Sequence, residues 1–310
     1  MKQIPTKPLR QIDIDDHVLG SYDSGHDGPL LLAIGGIHGN EPSGVQAIEA
    51  VLEELHRHQP NLHGRFLGLA GNIAALQARR RYIDEDLNRC FRSERVDARS
   101  ATESVEQGEL AALVSLIDEY AGGHDDVCFI DCHTTSSPSV PYLSVNAHPP
   151  SLIMMEDFPL HTVIGLERSI PGCCGEFLNQ LDYRGFTFEA GQHEAETSRE
   201  HHQATIWLLL ANEGGLTLPD PSFIDRQESL LRQTLGEPKR HFELTAHYRI
   251  AADENFRMRP GFKNFDKVAK GQPLADNNDG LIRSPSDGRI LMPLYQSEGD
   301  DGFFLLSPSD

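Results

Sequence analysis

Pro29-Leu30-Leu31-Leu32-Ala33-Ile34-Gly35-Gly36 is the stretch that decides the fold. Five consecutive apolar side chains suit a strand buried on both faces, because alternate residues point to opposite sides of a sheet. The two glycines end it. Beyond them Val45, Ile48, Val51, Leu52 and Leu55 recur at threes and fours, the spacing of an amphipathic helix. The pattern repeats along the chain. Arg65 to Ala70 reads as a strand closed by Gly71-Asn72, and the stripe Leu110, Leu113, Val114, Leu116, Ile117, Tyr120 reads as a helix ended by Gly122-Gly123. Val127 to Cys132, His161 to Gly165 and Gly185 to Glu189 follow as strands, and Ser198 to Leu210, with Trp207 in its core face, as a helix. This alternation predicts an α/β domain over residues 1–215, with a mixed, largely parallel central sheet flanked by helices. Sites in such sheets gather beyond the carboxyl ends of the strands.

Near residue 216 the texture changes. Leu216-Thr217-Leu218-Pro219-Asp220-Pro221 reads as a linker, followed by one helix from Phe223 to Leu235. Short alternating segments then run at 242–250, 272–275, 280–283, 289–295 and 302–306, which predict a smaller all-β domain over 216–310. Lys270 to Ala275 and Ser284 to Ile290 are faintly similar to a biotinyl/lipoyl half-barrel. The hairpin between them, 276–288, holds no lysine, so the likeness concerns architecture and not a carrier arm.

With 27 Lys+Arg against 47 Asp+Glu, the 310-residue chain carries a net charge of −20. Nucleic acid and anionic membranes both require a basic footprint, so neither is an expected partner. No apolar run approaches the roughly 18 residues of a membrane span. Met1 to Lys7 has no apolar segment behind its basic residues, which argues against a signal peptide. Five irregularly spaced cysteines read as free thiols in a reducing cytoplasm.

Chemistry concentrates in three stretches. In Gly35-Gly36-Ile37-His38-Gly39-Asn40-Glu41-Pro42-Ser43-Gly44, an imidazole and a carboxylate three apart leave a buried strand on a tight loop. They can share one cation, as in zinc sites of the His₂Glu type, or be a solvated pair. Ile130-Asp131-Cys132-His133-Thr134-Thr135 places a second histidine on the same rim, which shifts the balance toward metal. Asp131, two residues earlier on the same strand face, is placed to orient His133. Between them, residues 79–95 hold six arginines and four acids. This is either a self-paired loop or a cationic island for an anionic substrate.

Gly35 to Gly44, Arg81 to Phe91, Asp131 to Ser136 and Phe188-Glu189-Ala190-Gly191-Gln192 resemble, in order, the signature stretches of the succinylglutamate desuccinylase/aspartoacylase family of the zinc carboxypeptidase superfamily. The resemblance covers roughly residues 29–215. It implies a zinc-carboxypeptidase-like domain with a β-domain behind it, one Zn²⁺ per chain, and deacylation of a small N-acyl amino acid or related amide carrying a carboxylate. Carried over, His38, Glu41 and His133 bind the metal. Glu189 is the general base and acid, Arg81 stabilises the oxyanion, and Asn88 and Arg89 hold a substrate carboxylate. A homo-oligomer is compatible with this reading.

Two departures bear on specificity. Aspartoacylase-type members have an arginine ten residues before the catalytic glutamate; here that position is Asn179, and Arg184 is out of register. The C-terminal substrate-binding tyrosine has no secure counterpart, since Tyr295 and Phe303 are both out of register. Elsewhere, His193, Glu194, Glu196, His201 and His202 read as decoration of a loop and helix rather than a second metal site. Cys132 faces away from His133, so the pair cannot act as a thiol nucleophile and base. Cys173-Cys174 reads as packing. Two other functions share the residue set. One is a metallocarboxypeptidase, which would show an open cleft where a deacylase shows a short capped pocket. The other is a non-catalytic binding homologue, which would be expected to lack a ligand or the glutamate; none is missing.

Overall fold

The computed structural model describes residues 16–97 and 104–309. The segment Met1 to Lys7 lies outside them. The elements are, in chain order, β1 (Val18–Asp23), β2 (His26–Gly35), α1 (Ser43–His58), β3 (His63–Ala70), α2 (Ile73–Ala78), α3 (Ser93–Asp97), α4 (Val105–Ala121), β4 (Val127–Thr135), β5 (Tyr142–Val145), α5 (Pro149–Met154) and β6 (His161–Ile164). Then come α6 (Cys174–Gln180), β7 (Arg184–Gln192), α7 (Glu196–Gly214), α8 (Ser222–Leu235), β8 (His241–Arg249), β9 (Arg257–Met258), β10 (Lys267–Val268), β11 (Pro273–Asn277), β12 (Gly280–Arg283), β13 (Gly288–Leu291) and β14 (Asp301–Pro308).

Among the described residues, eleven strands form one sheet in the order β1-β3-β2-β4-β7-β5-β6-β8-β14-β13-β10, and β12-β11-β9 form a second. The centre, β3-β2-β4-β7, is parallel, and β5 enters antiparallel to β7. The apolar run in β2 does what its composition demands. Leu31 and Ala33 pack with α1 and α7, while Leu30, Leu32 and Ile34 pack with α4 and α6 on the other face. β4 divides likewise, with Cys128, Ile130 and Cys132 on the α1 face and Val127 and Phe129 on the α4 face. This is the expected mixed sheet between helical layers.

Local chemistry sets the helix ends. The Ser104 hydroxyl accepts the Gln107 N–H at the start of α4, and Gly215 and Gly236 close α7 and α8 in the left-handed conformation. α8 still packs on α7: Leu231 joins the core beneath α1 and α7, and Phe223 meets Trp207 edge-on with ring centroids 5.2 Å apart. Strand pairing also crosses residue 216, since β8 adds in parallel to β6. Phe242, Phe265, Phe304 and Leu306 form a further core over Tyr142 and Val163, so the C-terminal strands are seated against the α/β half.

Candidate active site

The carboxyl ends of β2, β4 and β7 converge on one rim, and each delivers an acid or an imidazole. After β2, the loop closes with the Glu41 N–H donating to His38 O (3.1 Å) and the Gly39 N–H to Arg81 O (3.2 Å). Gly39 is obligatory there, because a Cβ would fall 2.0 Å from the Ala75 carbonyl carbon. On the sheet, His133, Glu189 and Tyr142 lie side by side in one row across β4, β7 and β5. Asp131, Thr187 and Ser144 form the row two residues deeper.

Glu41 is the centre of the constellation. Its Oε1 lies 2.9 Å from His38 Nδ1, and its Oε2 lies 3.3 Å from His133 Nδ1 while accepting the Thr134 N–H at 2.8 Å. Both Nε2 atoms point away, His38 to Asp86 Oδ1 at 3.1 Å and His133 to Asp131 Oδ1 at 3.2 Å. The first contact is a hydrogen bond; the second is out of line for one, and the Asp131 oxygens have no hydrogen-bond partner. Among the described residues, His38, Glu41 and His133 are the one trio of His, Cys, Asp or Glu whose donor atoms approach closely enough to hold a metal, all within 4.8 Å. Two imidazoles and a carboxylate with nitrogens turned inward, and a carboxylate behind each ring, is the donor set and backing that zinc takes. All three side chains are buried.

The charges there are strongly interdependent. Burial opposes ionisation of Glu41, yet His38 and His133 hold its carboxyl well below the usual range. Burial also disfavours a charged His133, but Asp131 and Glu41 raise it well above an ordinary imidazole. Glu189 is pushed the other way, well above an ordinary carboxyl, by burial and by Glu41 and Asp131, against the pull of His133 and Arg81. Its Oε2 is buried without a partner.

The arginine-rich loop is tied down from behind. Glu106 of α4, fully buried, accepts the N–H groups of Ile83 (2.7 Å), Asp84 (3.0 Å) and Glu85 (3.3 Å). Arg81 donates twice to Asp86 Oδ2, at 2.8 and 3.2 Å, and its Nη1 lies 3.8 Å from Glu41. Asn88 lines the cavity while its Oδ1 accepts the Cys174 N–H at the start of α6. Arg89 reaches Asp301 at 2.5 Å, and Asp301 also meets His247 at 2.7 Å. One cavity is lined by all seven predicted metal, catalytic and substrate residues, while Asp131 stands behind His133.

Several residues in or behind the cavity were not read as site residues from the sequence. Asp86 joins His38 to Arg81. The connection between β13 and β14 contributes Met292, Leu294 and Gln296 to the wall, and the start of β14 contributes Asp301, which closes the pocket from that side. His193 bridges the two parts, 2.8 Å from Thr134 Oγ1 and 3.2 Å from Gln296 Oε1. Glu167, in a short helical turn after β6, also faces in.

The residues held in doubt lie elsewhere. Asn179 bonds to Asn146, Ser151 and the Tyr183 carbonyl, outside the cavity lining. Arg184 is at the far end of β7, paired with Asp126 and Glu213. The Tyr295 hydroxyl donates to Arg259 O, and Phe303 is buried core. His201 and His202 tie α7 to its neighbours, His201 Nδ1 to the Ala190 carbonyl of β7 and His202 Nδ1 toward the Ser43 hydroxyl of α1. Cys132 packs against Gly44 on the opposite face of the sheet from the site, and both Cys173 and Cys174 are buried.

Comparison with known proteins agrees with this geometry. Residues 27–209 match the family model of the succinylglutamate desuccinylase/aspartoacylase catalytic domain. A succinylglutamate desuccinylase of Pseudomonas paraeruginosa is 25% identical over 292 residues, covering 89% of this chain and 82% of that one. Among solved structures, a succinylglutamate desuccinylase from Vibrio parahaemolyticus superposes with a TM-score of 0.66 at 14% identity, covering 93% of this chain and 84% of that one. Murine aminoacylase 3 does so with a TM-score of 0.60 at 15% identity, covering 92% and 96%. The chain belongs to the succinylglutamate desuccinylase/aspartoacylase family, a family of amide-hydrolysing deacylases.

Proposed function

We propose that this protein hydrolyses the amide bond of a small N-acyl amino acid in a zinc-dependent reaction at the cavity above. The observation that carries the reading is the convergence of His38 Nδ1 and His133 Nδ1 on Glu41, with the unpartnered carboxyl of Glu189 in the row of His133. Zinc held by His38, Glu41 and His133 would supply Lewis acidity toward a carbonyl and lower the pKa of water toward about 7. Glu189 accepts the proton of the attacking water and returns it to the leaving nitrogen, a role that a buried carboxyl of raised proton affinity suits. Arg81, braced by Asp86, faces the carbonyl oxygen as charge develops on it. Asn88 and Arg89 receive the substrate carboxylate, with Asp301 as the group that holds Arg89 in place until it arrives.

In this reading the α/β domain, 1–215, does the chemistry and the unit at 216–310 shapes the pocket. The wall built by Met292, Leu294 and Gln296 supports a short substrate over a peptide lying along an open cleft. No described helix is long and apolar enough to cross a membrane. The five buried, unpaired cysteines fit the cytoplasm, where thiols stay reduced. The test is a panel of N-acetyl and N-succinyl amino acids beside C-terminally matched dipeptides, assayed for amine release by the zinc-loaded protein. Turnover of acyl amino acids with negligible turnover of dipeptides is expected; the reverse order would make it a carboxypeptidase.

A further inference from the structure

The pocket is chemically two-sided. Arg81, Asn88 and Arg89 gather on the side of the arginine loop. The deeper part is lined by Ser144, Thr187 and Glu167 among the apolar Leu166, Ile170 and Cys173. Ser144 and Thr187 are paired across β5 and β7, one strand step below Glu189. A strand step of two residues is about 6.6 Å, so this part of the cavity continues inward beneath the reacting centre.

Glu167 is 5% exposed, its Oε2 has no hydrogen-bond partner, and the Ser144 hydroxyl lies beside the carboxyl. The two arginines of the cavity are committed to other acids, Arg81 to Asp86 and Arg89 to Asp301. Arg168, next in the chain, is exposed and outside the lining. Burial, with Asp131 and Glu176 nearby, pushes the Glu167 carboxyl up to about 7, against the Ser144 hydroxyl and its own backbone N–H. An acid held in a pocket with no cation of its own is best completed by a ligand that brings one. A neutral donor would leave the carboxylate charge uncompensated in a buried site, and a second carboxylate would be repelled.

Resting on the deacylase reading, we infer that Glu167 is a specificity residue that receives an ammonium group at the far end of the substrate, so that the preferred substrates are N-acylated diamino acids. The ammonium donates to Glu167 and the Ser144 hydroxyl, while the substrate carboxylate goes to the arginine side. This reverses the polarity expected of a pocket for an acidic side chain, and it agrees with Asn179 and Arg184 lying outside the lining.

The test compares Nα-acetyl-L-ornithine, Nα-acetyl-L-norvaline and Nα-acetyl-L-glutamate with zinc-loaded wild type and Glu167→Gln. Norvaline has the carbon chain of ornithine without the amine. The wild-type kcat/KM for the ornithine compound should exceed that for norvaline on the order of 10- to 100-fold, the worth of a buried hydrogen bond to a charged group. Glutamate should rank last. In Glu167→Gln the ornithine-to-norvaline ratio should fall to about one. Calorimetry with the free products should show the same ratio in Kd. Should the Gln variant not fold, Glu167→Asp is read instead, and its ratio must also drop. Equal turnover of ornithine and norvaline by wild type, or a preference that survives the Glu167 change, overturns the inference and leaves the deacylase reading standing. Failure to hydrolyse any N-acyl amino acid overturns both.

Discussion

Asp86→Asn changes one atom at the junction of the proposed metal and oxyanion sites. Oδ1 of Asp86 accepts from His38 Nε2 at 3.1 Å and from the Asn88 N–H at 2.9 Å, and Oδ2 takes both contacts from Arg81. An amide at this position offers one acceptor oxygen and no charge. Either His38 loses the group that fixes its tautomer and aims Nδ1 at the metal, or Arg81 loses its anchor. Removing the carboxylate behind a ligating imidazole costs about 10- to 100-fold in metal affinity, equivalent to roughly 1.4–2.8 kcal/mol. The carboxyl is ionised across the neutral range, because Arg81, His38 and Arg89 outweigh its burial and hold it well below the ordinary value. The assay is competition for Zn²⁺ between each protein and a chelator of known affinity, with thermal melting as the control for folding. A variant that melts like wild type and binds zinc within twofold of it would refute the assignment of Asp86 to His38.

Three further outcomes follow from the same geometry. His38→Ala should leave the purified protein with little zinc by metal analysis, and one zinc per chain in that variant would remove His38 from the ligand set. N-acetylaspartate should be hydrolysed poorly beside amides with no second carboxylate on the amine half, because Asn179 and Arg184 both lie outside the cavity; selective turnover would require another cation to enter it. Glu167→Gln should be more stable than wild type by a margin that grows with pH in denaturant titrations. The native carboxyl holds its proton up to about 7, whereas an unfolded glutamate loses it near 4.5, so wild-type stability declines as pH rises through that window. The margin should approach about 3 kcal/mol above pH 7, and a pH-independent margin would contradict the burial of that charge.

The α/β half was legible because its signals are local. A strand buried on both faces must be apolar throughout, and His38, Glu41, His133 and Glu189 follow such strands within a few residues. Asp86 was not legible for a physical reason. Asp84, Glu85 and Asp86 are chemically alike, and tertiary contacts alone distribute them. Asp84 accepts the Val105 N–H, Glu85 pairs with Arg95, and Asp86 turns into the site. Glu167 has no sequence partner either; β6 and the turn after it bury it.

Four strands escaped the reading because their pattern is short or broken; β9 and β10 have only two residues each. β5 has four residues after a proline, and β1 is interrupted at Gly20, where its register with β3 shifts. The helix from Phe223 to Leu235 was legible, but not that its Phe223, Ile224 and Leu231 would pack against α7. Periodicity identifies a buried face without naming its partner.

The most direct test of the central claim is single-turnover hydrolysis by zinc-loaded wild type and Glu189→Gln, with zinc content measured on the same samples. The Gln side chain keeps the shape of Glu189 and cannot take a proton. The expected result is full zinc in both proteins, with amine release slower on the order of 10²- to 10⁴-fold in the variant. Near-equal rates at equal zinc content would contradict the assignment of proton transfer to Glu189, and with it the mechanism proposed for this cavity.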